Sequence, residues 1–443
     1  MKLKISLFLL LLSVGFGSLQ AQEQLLTKEE AISRALEENF GIKLARNEVE
    51  IADNNQSVLN SGYLPSLRGL AGANYDINDR FTEPEEGDDF RQEGVESNRY
   101  NASINLNYTL FDGLGRLYNY KSLKEQYYLS QLEARETIEN TVLQIMSVYY
   151  ELARLSENAR VLREILDISK NRVKRAEYQF EYGQANKLVL LNAEVDVNND
   201  SIALIETQQQ LRNTKRDLNV LLNRDVNTRE FVVDTTVNFI SELELESFIA
   251  SAEENNVSLL QVDKNITLSE YDIKVSKSGY LPSVDLTGSY GWNKNRSGAS
   301  AFFPGSTTTT DGFSAGVSLT WDIFDGGRTN VQVQNAKIRN QSQELIKKQI
   351  KKEIERDIAN ALGNYRNKLY ILKVQEENVA TNLNNFNRSR EQYKLGRITS
   401  IEFRQAQTNL LDARTSLNLA KYDAKLAELQ LLQLTGQLLN VNL

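Results

Sequence analysis

Ser61-Gly62-Tyr63-Leu64-Pro65-Ser66 occurs a second time, unchanged, as Ser278-Gly279-Tyr280-Leu281-Pro282-Ser283. Six identical residues in a row are a poor coincidence, and the match continues in register on both sides. Upstream, Glu29, Ile32, Ala35, Glu37 and Asn39 are answered by Glu246, Ile249, Ala252, Glu254 and Asn256. Downstream, Phe111-Asp112-Gly113 returns as Phe324-Asp325-Gly326, and Tyr182-Gly183 is answered by Leu395-Gly396. One structural unit of roughly 200 residues is therefore written twice. The expected division is a first copy over 22–225, a connector over 226–240, a second copy over 241–438 and a short tail over 439–443. The copies need not be separate domains, because each can be half of one architecture.

Proline and glycine mark out the unit. All four prolines (Pro65, Pro84, Pro282, Pro304) fall within 62–113 and 279–326, and between Gly115 and Gly279 the only glycine is Gly183. Stretches so free of breakers are helical unless the patterning objects. It agrees: Ile138, Val142, Ile145, Tyr149, Leu152, Leu155, Ala159, Leu162 and Leu166 step by four and three, as do Ile350, Ile354, Ile358, Ala361, Tyr365, Leu369 and Leu372. These are long amphipathic stripes of coiled-coil type. A helix over 117–181 would be about 100 Å long at 1.5 Å per residue, so it must pack along other helices. Gly183 and Gly396 then supply the left-handed caps at which two antiparallel helical hairpins reverse, with tips at 182–187 and 395–400. Asn186 and Thr399 or Ser400 cap the returning helices, and Thr27 with Glu30 forms a capping box at the first helix.

The proline zones read as β-structure. Ile104, Leu106, Tyr108 and Leu110 alternate with small polar residues, and so do Val317, Leu319, Trp321 and Ile323. Weaker strands over 67–76 and 284–293 precede them, giving β-hairpins over 67–112 and 284–325 with long polar loops at 77–99 and 294–312. Strands of about 9–11 residues suffice to cross a bilayer at a tilt. Two hairpins give four strands, known transmembrane barrels start at about eight, and an open sheet edge is not tolerated in lipid. Several protomers must therefore pool strands; three would give twelve, and a cyclic trimer is the simple closed solution.

Composition narrows the function. The 443 residues contain no Cys and no His, which removes disulfides, thiolate nucleophiles, His-based triads and the commonest zinc ligands. A net charge of −8 argues against nucleic acid as a partner. The carboxylates follow helix-surface spacing and frame no converging pair, so no enzyme, cofactor or metal site is expected. Lys2 and Lys4, the apolar run from Ile5 to Leu12 and the end at Ala21-Gln22 have the layout of a signal peptide over 1–21. No cysteine follows it to carry a lipid, and no later segment could cross a membrane as a helix.

The duplicated Gly-Tyr-Leu-Pro junction, the Phe-Asp-Gly after the second strand and the glycine turn followed by a helix containing Ala193 or Ala406 resemble the TolC family of outer-membrane efflux proteins, from about Leu26 to Leu438. The resemblance implies a mainly α protein with transmembrane β-structure. Its long α-helical barrel of coiled-coil hairpins would join four β-strands per protomer in a shared twelve-stranded trimeric barrel. It implies an outer-membrane exit duct for a tripartite efflux pump or type I secretion system. A periplasmic adaptor (membrane fusion) protein would join it to an inner-membrane RND or ABC transporter, with outer-membrane lipid around the barrel. Glu230-Phe231-Val232-Val233-Asp234 resembles the family's small equatorial strand.

Carried over by position, Tyr182, Gly183, Leu395 and Gly396 match adaptor-docking tips. Arg397, Glu402 and Gln405 fall where the family places its periplasmic gate, with Gln405 and Val189 standing where acidic residues are common. Gly62, Tyr63, Pro65, Gly279, Tyr280 and Pro282 form the helix-to-strand junctions, with the prolines expected to stop the entering helices. Tyr63, Tyr280, Tyr108, Trp321 and Phe324 suit a membrane interface. The competing reading is an exported coiled-coil structural or adhesive protein, which leaves the paired membrane-length hairpins unexplained.

Overall fold

The computed structural model describes residues 24–228, 231–299 and 304–441. The expected signal peptide over 1–21 lies outside them. In chain order the elements of the first copy are β1 (Gln24–Leu26), α1 (Lys28–Glu38), α2 (Phe40–Asn55), β2 (Ser66–Thr82), β3 (Phe90–Asp112), α3 (Gly115–Glu181) and α4 (Lys187–Leu221). Then come β4 (Phe231–Val233), α5 (Glu242–Ala250), α6 (Ala252–Asn255), α7 (Val257–Ser278), β5 (Ser283–Ser297), β6 (Ser306–Thr320), α8 (Arg328–Lys394) and α9 (Ser400–Leu434). The duplication is kept in the lengths: α3 and α8 have 67 residues each, α4 and α9 have 35 each.

The chain forms two compact units, and each draws on both sequence copies. The first comprises residues up to Glu48, Leu132–Leu260 and from Lys348 onward. Its core contains the expected stripe: Val142, Ile145, Tyr149 and Leu152 are fully buried, with Met146 beside them, among Leu26, Ala31, Leu218, Phe231 and Leu429. Each such side chain contributes about 1.5–3 kcal/mol by burial, which anchors this stretch of α3. β1 pairs in parallel with β4, so the short strand in the connector is completed by the start of the described chain. Tyr149 clamps that pair, donating its hydroxyl to the Leu26 carbonyl at 2.7 Å and accepting the Asp234 N–H at 2.9 Å. Glu428, fully buried, is ion-paired with Lys425 and accepts from the Tyr365 hydroxyl and the Ile240 N–H, tying the connector to α8 and α9.

Asn39 and Asn256, matched in the sequence, do one job twice. Asn39 Oδ1 accepts the N–H groups of Gly41 and Ile42 and its Nδ2 donates to the Leu221 carbonyl at 2.8 Å. Asn256 Oδ1 accepts from Ser258 and Leu259 and its Nδ2 donates to the Leu434 carbonyl at 2.8 Å. Each caps one helix and closes the end of another. The copies differ where α1 is continuous but its counterpart breaks into α5 and α6 at Ser251. There the Ser251 hydroxyl donates to the Phe248 carbonyl, a local bond that competes with helix continuation.

The second unit, Val49–Gln131 with Gln261–Lys347, contains the sheet β2-β3-β5-β6, antiparallel throughout. The register sets Ile104 beside Tyr290 and Tyr290 beside Phe313 on one face, and Asn105 beside Ser289 and Ser289 beside Ser314 on the other. The sheet is open, with β2 and β6 as edges, and every residue of β6 is exposed in the single chain.

Three expectations need correction. The strands are longer than the alternation implied: β2 runs to Thr82, β3 starts at Phe90, β5 runs to Ser297 and β6 starts at Ser306. The loops placed at 77–99 and 294–312 are thus largely ladder, because backbone pairing continues past the point where the side chains turn polar on both faces. At the other end β6 stops at Thr320, so Trp321 and Ile323 lie beyond the strand. Finally, Pro65 does not end the helix before it. α2 stops at Asn55, where Asn60 donates to the Asn55 carbonyl and a 3₁₀ turn over Val58–Asn60 intervenes. Pro282 does follow α7 closely.

Candidate functional site at the hairpin tips and junctions

The two tips close by the same hydrogen bonds. Gly183 (φ +70°) donates to the Phe180 carbonyl at 3.0 Å, and Gln184 to Gln179 at 2.7 Å. Gly396 (φ +71°) donates to Tyr393 at 3.1 Å, and Arg397 to Gln392 at 2.9 Å. These are Schellman caps, which require the left-handed backbone that glycine adopts without strain. The return helices start on Asn186, which accepts the Val189 N–H, and on Thr399, which forms a full capping box with Glu402.

Around this frame the tips differ. Tyr393 stacks on Phe403 at 4.9 Å and Phe386 on Phe403 at 5.6 Å, a packed aromatic core under the second tip. Arg175 of α3 lies over the Tyr393 ring and donates to the Lys394 carbonyl, so the first hairpin caps the last turn of α8. Tyr178, Tyr182, Leu188, Leu395 and Ile401 are instead exposed apolar groups. A groove of about 570 Å³ lies between the starts of α4 and α9, lined by Leu188, Val189, Tyr393, Ile401, Asp196 and Arg404 among others.

Beneath the groove is a polar network joining α3, α4 and α9. Arg404 holds Asp200 through two bonds of 2.8 Å, and Ser169 donates to the same carboxylate at 2.6 Å. Arg172, only 4% exposed, reaches Asp196 at 2.9 Å and the Ser400 hydroxyl at 2.9 Å. Gln407, fully buried, donates to Ser169 at 2.7 Å and to the Ile165 carbonyl at 3.0 Å. Sequence reading passed over this cluster. Its one visible signal is charge at stripe positions of otherwise apolar helices.

The gate candidates lie close to the network without joining it. Glu402 accepts the Thr399 N–H at 2.7 Å and the Thr399 hydroxyl at 2.9 Å. The backbone bond first and the hydroxyl second hold its carboxyl below the ordinary 4.5. Gln405 donates to Asn409 at 2.8 Å, and Arg397 is exposed, with no side-chain hydrogen bond or ion pair among the described residues.

At the junctions, the repeated aspartates are helix caps: Asp112 accepts the Arg116 N–H at 2.7 Å, and Asp325 accepts the Thr329 N–H at 2.8 Å. Gly62 and Gly279 serve different ends. Gly62 has φ +74°, whereas a Cβ on Gly279 would meet Thr329 at 3.1 Å. Tyr63 sits between Tyr120 and Arg116, and the Tyr280 carbonyl accepts the Trp321 indole N–H at 3.2 Å. Among the described residues no helix could cross a membrane and no side-chain cluster fits a metal ion.

Two segments, 31–224 and 248–437, match the family model described as outer membrane efflux protein, one in each sequence copy. The outer membrane efflux protein BepC of Brucella suis is 21% identical over 92% of this chain and 85% of its own. The outer membrane protein TolC of Escherichia coli is 22% identical over 96% of this chain and 84% of its own. Among solved structures, the CmeC outer membrane channel of Campylobacter jejuni superposes with a TM-score of 0.74 at 18% identity, covering 93% of this chain and 86% of that one. The CusC structure gives 0.72 at 17% identity, with 92% of both chains covered.

Proposed function

The chain belongs to the outer membrane efflux protein family, and on that footing we propose that it is a passive exit duct, completed by three copies, that catalyses nothing. It is an outer-membrane efflux channel with the fold of its structural neighbours. The reading of an exported adhesive coiled coil is not favoured by the family match.

The observation that carries the duct is the open sheet. β2 and β6 have free edges, one face is apolar, and lipid does not tolerate unpaired backbone groups. Cyclic pairing of β6 with β2 of the next copy removes both edges. Exposed apolar residues at heptad spacing along α8, namely Val331, Ile338 and Leu345, suit the same neighbour. The tips, with Tyr182, Gly183, Leu395 and Gly396 outermost, are the docking points for a periplasmic adaptor joined to an inner-membrane RND or ABC transporter. Arg397, Glu402 and Gln405 line the gate, and the Arg404–Asp200 network behind them holds α9 against α3 and α4.

The test is conductance in planar bilayers combined with the mass of the purified protein. A trimer giving discrete current steps is expected. A soluble monomer without steps would sink the proposal.

A further inference from the structure

This inference rests on the membrane reading and concerns the helix ends that meet the strands. β3 ends at Asp112 just before α3, and α7 ends at Ser278 just before β5. In these turns, lysines lie on tyrosine rings rather than on carboxylates. Lys124 is 4.6 Å from the Tyr120 ring centre, and Lys121 and Lys274 are 5.6 and 5.4 Å from that of Tyr118. Lys274 is also 5.1 Å from the Tyr271 ring, which stacks on Tyr118 at 6.2 Å. All three lysines are exposed, and none has an ion-pair partner among the described residues, whereas nearby Arg116 and Lys264 are paired with Asp112 and Glu125.

Position and direction add to this. Helical side chains lean toward the helix N-terminus, so Lys121 and Lys124 on α3 lean toward β3. At 1.5 Å per residue Lys121 and Lys124 lie within about 20 Å of Asp112 and their stems shorten that gap, whereas Lys274, on a helix that enters β5 by its C-terminus, leans the other way. Tyrosine is favoured at the headgroup level of a bilayer, and lysine is drawn to anionic lipid. The opposite side of α3 carries the uncharged Asn119, Ser122 and Gln126, so Lys121 and Lys124 share one face of the helix. What sets these three lysines apart is their place over tyrosine rings, in a chain of net charge −8.

We propose that Lys121, Lys124 and Lys274 bind the phosphate of an anionic phospholipid headgroup in the leaflet at the helix-side end of the barrel. Tyr118, Tyr120 and Tyr271 hold the ammonium groups in place, and the site repeats in each copy of the assembly. An ammonium group presents three donors to phosphate oxygens.

The purified full assembly in detergent is titrated with phosphatidylglycerol, with phosphatidylcholine of the same chains and with inorganic phosphate, and bound molecules are counted by native mass spectrometry. Phosphatidylglycerol should be held roughly tenfold more tightly than phosphatidylcholine, with no retention of free phosphate. The preference should vanish in K121Q/K124Q/K274Q and persist in K121R/K124R/K274R, the intact mass of each assembly reporting that it folds. Equal retention of the two lipids, a preference that survives the glutamine variant, or equal capture of free phosphate would overturn the site. Bilayer conductance on the same preparations separates the two readings: current steps without lipid preference sink the lipid site alone, while absence of channels sinks the duct.

Discussion

Arg404 on α9 grips Asp200 on α4 through two hydrogen bonds of 2.8 Å, although the two lie in different copies of the repeat. Asp200 is 5% exposed and has the Ser169 hydroxyl as its third donor, so the pair is fully used. Removing one partner strands the other in a site shielded from water. Asp200→Ala should cost about 3 kcal/mol, the lower end for a broken buried pair because Arg404 keeps some solvent contact. Chemical denaturation reads the stability, and a rise in basal conductance would mark a loosened gate. A variant as stable and as closed as the parent would remove the network from any role at the tips.

The glycines at φ near +70° are not equivalent. A Cβ on Gly396 meets nothing within 4 Å, whereas one on Gly436 would lie 2.2 Å from the Asn255 carbonyl oxygen. Gly396→Ala should therefore cost only the backbone term, about 1 kcal/mol. Gly436→Ala adds a clash with main chain and should cost about 3 kcal/mol or more. Comparing their unfolding midpoints checks the order, and equal midpoints would contradict the geometry.

Asn39 and Asn256 are structural twins, so their alanine variants should behave alike. Each loses a helix cap and the tie to Leu221 or Leu434, a loss of about 1–2 kcal/mol per site. The sites share no partner, so the double variant should be close to additive. Hydrogen exchange at the ends of α4 and α9 would report each loss separately, and a tenfold faster exchange at one end only would break the equivalence.

The capping box at the second tip carries a pH signature. Because the Thr399 N–H and hydroxyl depress the Glu402 pKa, its stabilising contribution is present above the ordinary 4.5 and disappears as pH falls through the lower folded value. Amides from Thr399 to Phe403 should lose exchange protection on acidification below 4.5. Glu402→Gln should flatten that dependence. Protection that is unchanged from neutral to acidic pH would show the cap to be insensitive to the carboxylate.

Much of the architecture was legible along the chain. The α3 and α8 stripes, the turns at Gly183 and Gly396 and the alternation in β3 are all patterns between near neighbours, and near neighbours decide whether backbone helps or hinders a helix. The same logic misjudged the strand ends: beyond Ile77 and Lys294 the alternation fades, yet the ladder partner across the sheet keeps the backbone extended. It also assigned to Pro65 a helix stop that the 3₁₀ turn at Val58–Asn60 had already made.

The tip residues divide in the same way. Glycine at a left-handed cap is a local device, so sequence alone places Gly183 and Gly396 and narrows the second cap to Thr399 or Ser400; that Glu402 closes a capping box with Thr399 is seen only in the structure. Arg172, Ser169, Asp200, Arg404 and Gln407 carry no such spacing. They read as scattered polar residues until α3, α4 and α9 are laid side by side. The duplication is visible as repeated residues, and the helices, strands and reversals of each copy follow from steric and hydrogen-bonding rules acting within a few residues. That Asp200 meets Arg404, that Gly436 has no room for a Cβ beside Asn255, and that Lys121 rests on Tyr118 next to Tyr271 emerges only from the packed chain. Those meetings depend on which helix faces come together across distant parts of the chain.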